Sequence, residues 1–388
     1  MKVQTFFVAD LTGWDYLGII DLVIMKLLHP FIGFLLFVSV AQAAPLRVGV
    51  AGLTHSHVHW ILGRPDRGDI QLVGIAEPNK ALAERFLKQH GLPMSLWFAT
   101  LEEMIEATKP EAVTAFGSIY EHLAVVKACA PRGIHVMVEK PLAVSVDHAS
   151  QMQALAKKYN IQLLTNYETT WYATNHKVNE LVQKNQLGTL RKIVVHDGHE
   201  GPKEIGVNSE FLDWLTDPKQ NGGGAVIDFG CYGANLITWL AKGERPVSVM
   251  ALTQQFKPDI YPKVDDEATI LLQYPAMQGI IQASWNWPFS RKDMEVYGAT
   301  GYALSDNRSN MRIRLQGENT ERTETWTDRE APYDDPFALL AAVVQKKITL
   351  PAYDLSSLEN NMIVVEILEA AIKSVRTGKR VILKPMKH

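Results

Sequence analysis

The spacing of hydrophobic and polar residues changes partway along this chain. In the first half, short β-branched runs alternate with stretches of helical period. Leu46-Arg47-Val48-Gly49-Val50-Ala51 ends at Gly52, and a helix begins around Val58 to Leu62. Ile70 to Ala76 ends at Glu77, and helical spacing returns from Lys80 to Gln89 through Leu82, Phe86 and Leu87. Ala112 to Phe116, a helix over 121–129, Ile134 to Val138, a helix over 149–159 and Ile161 to Leu164 continue the alternation. Strands separated by helices of about 10–15 residues predict right-handed βαβ units around a parallel sheet. Near-continuous apolar strands fit a sheet covered by helices on both faces.

Beyond residue 168 long helices become fewer. Apolar runs at 193–196, 247–252, 268–272, 279–284, 294–298 and 311–315 follow one another across turns. This predicts an α+β domain with a large, mostly antiparallel sheet, so the expected fold is a Rossmann domain over 46–168 followed by a substrate domain over 169–388. A last helix over 358–375, stopped by Gly378, leads into a short strand near Val381.

Residues 1–43 follow neither rhythm. Lys26 precedes an apolar stretch centred on Phe31 to Val40, and Ala41-Gln42-Ala43 supplies small residues around a cleavage point. These are the three parts of a secretory signal peptide, and cleavage after Ala43 would give a mature chain beginning Ala44-Pro45. Pro30, His29, Lys26 and Asp21 make poor material for a spanning helix. Met25 offers an alternative start. The expectation is a periplasmic or extracellular protein that is not held in the membrane after cleavage.

Composition narrows the classes. With 39 basic against 42 acidic residues, net charge −3, the chain lacks the broad basic field that nucleic-acid binding requires. Its 2 cysteines cannot build a disulfide framework, and no bridge is expected between Cys129 and Cys231.

The turn after the first strand carries candidate chemistry. A dinucleotide site needs backbone N–H groups facing a pyrophosphate and a carboxylate at the end of the second strand for the ribose hydroxyls. Gly52 and Glu77 occupy those places, 25 residues apart against about 20 in the usual motif. Thr54 and His57 stand where the second and third glycines would be; Thr54 and Ser56 offer hydroxyls to phosphate. A tight turn with no ligand is the competing reading. His55, His57 and His59 invite a metal reading, but alternate positions entering a helix are expected to diverge, and no metal is expected.

Two further motifs carry a resemblance. Val138-Glu139-Lys140-Pro141-Leu142-Ala143 and Asn221-Gly222-Gly223-Gly224-Ala225-Val226-Ile227-Asp228-Phe229-Gly230-Cys231-Tyr232, in this order and spacing, resemble the Gfo/Idh/MocA family of glucose–fructose oxidoreductase and inositol dehydrogenase. Glu77-Pro78-Asn79, Ala112 to His122, Asp265-Asp266-Glu267, Gly298 to Gly301 and Ile367 to Val381 fit the same pattern. The resemblance implies an NAD(P)-dependent oxidoreductase acting on a sugar, polyol or related carbinol. Its lysine falls on Lys140 and its aspartate on Asp228. Tyr232 stands in place of the usual histidine, as in glucose–fructose oxidoreductase. Implied cofactor contacts are Gly52, Thr54, His55, Ser56, His57, Glu77, Ser118, His122, Glu139 and Lys140, with NAD favoured over NADP because Glu77 would repel a 2′-phosphate. His122 reads either as a nicotinamide-side contact or as a surface helix histidine.

Oxidising a hydroxyl requires a proton to leave as hydride does. Tyr232 is expected as the acid/base, with Lys140 orienting the hydroxyl and lowering the phenol pKa, and Asp228 holding the substrate or the lysine. Gly222-Gly223-Gly224 would let backbone approach closely. Lys140→Ala is expected to abolish activity with little change in stability. Trp171, Tyr172, Trp214, Trp285 and Trp287 read as sugar-stacking walls or as core. An exported enzyme without access to free nucleotide would hold its cofactor tightly and regenerate it within the cycle, by sugar–sugar exchange or by redox-assisted glycoside cleavage. A non-catalytic carbohydrate-binding protein on the same fold stays open, as does association with further copies of the chain.

Overall fold

The computed structural model describes residues 44–383; the expected signal segment, its cleavage point and the alternative start lie outside them. Six strands form the first sheet: β1 (Leu46–Ala51), β2 (Ile70–Ala76), β3 (Trp97–Phe98), β4 (Ala112–Ala115), β5 (His135–Glu139) and β6 (Leu163–Asn166). All pair in parallel, in the order β3-β2-β1-β4-β5-β6. This is the doubly wound order whose switch point, between β1 and β4, leaves a crevice at the strands' carboxyl ends. The pair β3 and the helix Leu101–Thr108 between it and β4 complete a rhythm that the apolar runs showed only in part. Two residues are too short to give a periodic signal.

A second sheet of nine strands contains β7 (Leu190–Gly198), β8 (Ser248–Gln254), β9 (Glu267–Gln273), β10 (Gln278–Ser284), β11 (Arg291–Gly298), β12 (Gly301–Ser305), β13 (Asn310–Leu315), β14 (Arg322–Thr325) and β15 (Val381–Ile382). Its order is β14-β13-β12-β11-β7-β10-β9-β8-β15, antiparallel except where β10 runs parallel to β7. Alternate residues pack one face against the helices Gly230–Leu240 and Leu358–Thr377 in a common core. Ile193 and Val195 on β7 and Met294 and Val296 on β11 are fully covered there.

One element crosses the expected division at residue 168. The helix Pro336–Val344 sends Phe337, Leu339 and Leu340 into the core of the first sheet, beside Leu46, Val48 and Leu82. Asp335 caps it through the Phe337 and Ala338 amides and receives a guanidinium bond from Arg64 at 3.0 Å. Among the described residues no helix is long and apolar enough to cross a membrane.

Candidate active site

Lys140 follows β5 at the carboxyl end of the parallel sheet, and 88 residues later the short helix Ala225–Asp228 brings Asp228 to it. The Lys140 Nζ donates to Asp228 Oδ1 at 2.5 Å and to the Asp228 carbonyl at 3.3 Å. The Trp285 indole N–H donates to Asp228 Oδ2 at 3.0 Å. Asp228 therefore holds the lysine, with both carboxylate oxygens engaged. Burial works against the ammonium, but Asp228 outweighs it and Lys140 is raised above its ordinary value. Burial likewise opposes the carboxylate, and Lys140 wins, leaving Asp228 below its ordinary value. Both side chains are about 5% exposed, so removing the lysine alone strands a buried charge. The expected neutrality of Lys140→Ala toward stability is thereby reversed.

The glycine run serves the same end. A Cβ on Gly224 would stand 1.8 Å from the Asp265 carbonyl oxygen. The Asp265 carboxylate accepts the Gly224 and Val226 amides at 2.9 and 2.7 Å. The close approach is thus to the loop before β9, and it fixes the helix that presents Asp228.

Tyr232 is buried beside them, but in an orientation the sequence did not anticipate. Lys140 Nζ lies 5.3 Å from its ring centroid and Lys292 Nζ 5.0 Å. Burial and the nearby carboxylates of Glu168 and Asp197 push the phenol well above its ordinary value. The expected lowering by Lys140 is corrected: ammonium charge meets the ring as a cation–π contact, while desolvation and acidic neighbours decide the hydroxyl.

The cofactor residues gather around the turn after β1. Gly52 has φ +78°, and a Cβ there would lie 2.8 Å from the Gly117 amide nitrogen, so the β1 and β4 turns touch in a way only glycine permits. Between them and the β2 turn lies a cavity of about 340 Å³ lined by Gly52, Pro78, Thr100, Gly117 and His122. Glu77 borders this region, accepting the Leu53 amide at 2.9 Å and the Asn79 amide at 2.8 Å. The Ser118 N–H donates to the Glu121 carboxylate at 2.8 Å, and its hydroxyl lies within donating distance of that carboxylate, at 3.0 Å, and of Gln220 Oε1, at 2.8 Å. His122 is fully buried, not on the surface; its Nδ1 lies 3.1 Å from the Leu142 carbonyl and its Nε2 has no partner. Burial holds it down to about 4, so the neutral ring presents an unsatisfied acceptor beside the cavity. Touching glycine turns, a strand-end carboxylate and an orphaned imidazole nitrogen fit the adenosine half of a dinucleotide.

The histidine-rich turn behaves differently from expectation. His59 turns away to His90, 2.8 Å distant, but His55 and His57 converge with Glu139. His57 Nδ1 lies 2.9 Å and His55 Nε2 4.0 Å from Glu139 Oε2, and Asn166 donates to Glu139 Oε1 at 2.7 Å. The divergence argument fails for the first two because His57 only precedes the helix, with its ring folded back onto Trp60 at 3.9 Å. His55 Nδ1 accepts the His57 amide at 3.1 Å, which makes the neutral ring an Nε2–H donor aimed toward Glu139. Glu139 thus serves the histidines. Ser56 completes the turn, half-buried.

The helix Ser209–Leu215 of the second half lies over this turn. The Trp214 indole N–H donates to Thr54 Oγ1 at 3.0 Å, Phe211 packs 4.7 Å from the His55 ring, and Glu210 pairs with Arg85 at 2.9 Å. Trp214 therefore covers the turn, and Trp171 and Trp285 are core residues with bonded indoles. The Tyr172 hydroxyl donates to Glu168 at 2.8 Å. Cys129 and Cys231 are free and buried.

Asp197, Lys292, Glu168 and Trp285 belong to this centre, and no motif had pointed to the first three. A signal was present. Ile193 and Val195 point inward on β7, so strand alternation sends Asp197 inward too, where a carboxylate is out of place.

Residues 46–167 match the family model described as oxidoreductase family, NAD-binding Rossmann fold, and residues 175–304 match the GFO/IDH/MocA C-terminal domain. Among curated proteins, trans-1,2-dihydrobenzene-1,2-diol dehydrogenase from Sus scrofa is 26% identical over 66% of this chain and 73% of its own length. That from Bos taurus is 27% identical over 71% and 79%. An inositol dehydrogenase homolog from Azotobacter vinelandii, solved with NAD+, superposes with TM-score 0.75 at 18% identity, covering 88% of this chain and 98% of that one. Aldose-aldose oxidoreductase from Caulobacter crescentus, solved with glycerol, gives TM-score 0.73 at 20% identity over 87% and 100%.

Proposed function

Since this chain belongs to the Gfo/Idh/MocA family of oxidoreductases and carries its NAD-binding Rossmann domain, we propose that it interconverts a carbinol and a carbonyl on a polyhydroxylated small molecule, using NAD, outside the cytoplasm. The observation that carries this reading is the buried Lys140–Asp228–Trp285 set, held by the second half of the chain against the carboxyl edge of the parallel sheet. The curated relatives act by name on a diol, and one structural neighbour holds glycerol. A sugar, polyol or cyclic diol is the substrate class these favour.

Gly52, Gly117, Glu77 and His122 would hold the adenosine half, and the turn Thr54–His57 the pyrophosphate. Glu77, a buried carboxylate at the second strand end, supports NAD over NADP because a 2′-phosphate there would meet like charge. Bound NAD supplies a hydride acceptor. Lys140, which Asp228 favours in its protonated form, would give its proton to the oxygen when a carbonyl takes up hydride; in the oxidising direction the lysine, having first released that proton, would take the hydroxyl proton as hydride leaves carbon. Asp228 and Trp285 fix where that ammonium points. The proton-bearing role thus passes from Tyr232 to Lys140, with Tyr232 presenting its ring to the cation. Export rests on the pattern of Lys26 to Ala43.

The test is to purify the chain from the periplasm or medium, denature it and identify released nucleotide by mass spectrometry, then titrate emptied protein with NAD and NADP. NAD in the released fraction, or micromolar binding preferring NAD, is the expected result. The absence of both co-purified nucleotide and micromolar binding would overturn the reading and leave the non-catalytic one standing.

A further inference from the structure

The centre contains a buried titratable residue that the chemistry above does not use. Asp197 on β7 sits directly opposite Lys292 on β11 in the antiparallel register, so the two side chains leave the same face of the sheet. It is the inner face: Asp197 continues the line of Ile193 and Val195, and Lys292 that of Met294 and Val296. Lys292 does not neutralise its neighbour through a contact. Its ammonium reaches across the Tyr232 ring to bond the Glu168 carboxylate. Asp197, 1% exposed, is left with neither carboxyl oxygen partnered.

A carboxyl in such a place is costly, and the alternation of the strand would be served better by valine or leucine. Burial lifts its pKa well above the ordinary carboxylate value, against the opposing pull of Lys292. The group stands close to the Lys140–Asp228 pair: Lys140 and Lys292 both approach the one Tyr232 ring, at 5.3 and 5.0 Å, and the charges of Lys292, Lys140 and Asp228 all act on the Asp197 carboxyl.

We propose that Asp197 is a specificity-determining residue that binds a second hydroxyl of the substrate while the reacting hydroxyl lies at Lys140. The site then selects molecules holding two hydroxyls over otherwise similar mono-alcohols, because only the former satisfy the buried carboxyl. This rests on the assignment of Lys140 as the reacting end. A site built to bond a hydroxyl discriminates strongly against an analogue lacking it, because its own polar groups would be left unpaired.

The experiment compares NAD-loaded wild type, Asp197→Asn and Asp197→Leu on three probes: myo-inositol, trans-cyclohexane-1,2-diol and cyclohexanol. The expected result is that both variants lose about ten- to a hundredfold of the wild-type preference for the diols in kcat/KM, mainly through KM. Asp197→Leu is also expected to melt at a higher temperature than wild type, since it removes an unpaired buried carboxyl. A structural role for Asp197 would instead lower the melting temperature of both variants and leave the diol preference intact, which overturns the proposal. If wild type turns over none of the probes and its melting is unmoved by either diol, the assignment of Lys140 and the second-hydroxyl site fall together. Wild-type turnover with unaltered preference in both variants overturns the site alone.

Discussion

Lys140 and Asp228 show how burial changes what a substitution means. A carboxylate and an ammonium this covered are each expensive to bury alone and tolerable only together. Lys140→Met is therefore expected to remove activity and also to destabilise the protein by about 3–5 kcal/mol, read as a large fall in the midpoint of thermal melting followed by circular dichroism. Lys140→Met with Asp228→Asn should recover much of that loss without recovering activity, since the amide still accepts the Trp285 N–H and leaves no charge behind. Equal melting of the single variant and wild type would show that the pair is not buried as described. Lys140 was legible in the sequence because Glu-Lys-Pro follows an apolar strand. Its partner's grip was not, because 88 residues separate them and no local pattern encodes which carboxylate meets which ammonium.

Among the elements, the short helix Ser209–Leu215 links the two halves of the site. It contributes few residues to either core, yet Trp214, Phe211 and Glu210 all reach the first half, to Thr54, His55 and Arg85. Glycines with positive φ lie on both sides of it, at Gly201 and Gly206 before and Gly222 after. Trp214→Phe combined with Glu210→Ala removes one hydrogen bond and one half-exposed ion pair, worth together about 1–2 kcal/mol. Bound dinucleotide is accordingly expected to exchange about tenfold faster, measured by chasing protein-bound NAD with an isotopically labelled pool. An unchanged exchange rate would show that the helix does not retain the cofactor. The helix was not read from the sequence because Asn208 to Leu215 spans too few turns to establish a period. The strands β12 and β14 were missed for the same reason.

At the scale of the whole molecule, the buried histidines set an acid limit. His122 and His176 are both held down to about 4, and His55 also lies well below its ordinary value, in each case chiefly by burial. An unfolded histidine titrates near 6.5, so below that pH the unfolded chain takes up protons that the folded chain refuses. The contribution of each group is fully present above about 6.5 and is lost as pH falls toward 4, a few kcal/mol for His122 alone. The raised carboxyls of Asp197 and Asp265 act in the opposite sense over the same interval, since the folded chain takes up their protons first, so the histidine effect is read by difference: His122→Gln is expected to lose less melting temperature than wild type between pH 6.5 and 4. The same pH dependence in His122→Gln as in wild type would contradict the burial of that ring. The pairs at Lys140 and Lys292, being raised, keep their contribution throughout this range and do not share in the loss.

The sequence by itself determined the alternation of strands and helices, the position of the β1 turn at Gly52 and the family likeness, because these depend on periodicity and on residues close together in the chain. Strand polarity also determined that Asp197 must face inward, although its meaning was not visible there. Only the folded chain decided that Asp228 clasps Lys140, that Gly224 yields to Asp265 and that the Tyr232 phenol is raised instead of lowered. It also decided that His55 and His57 meet Glu139. Each of these depends on which distant surfaces come together and on how much water they exclude, and both quantities are set by the packing of one half of the molecule against the other.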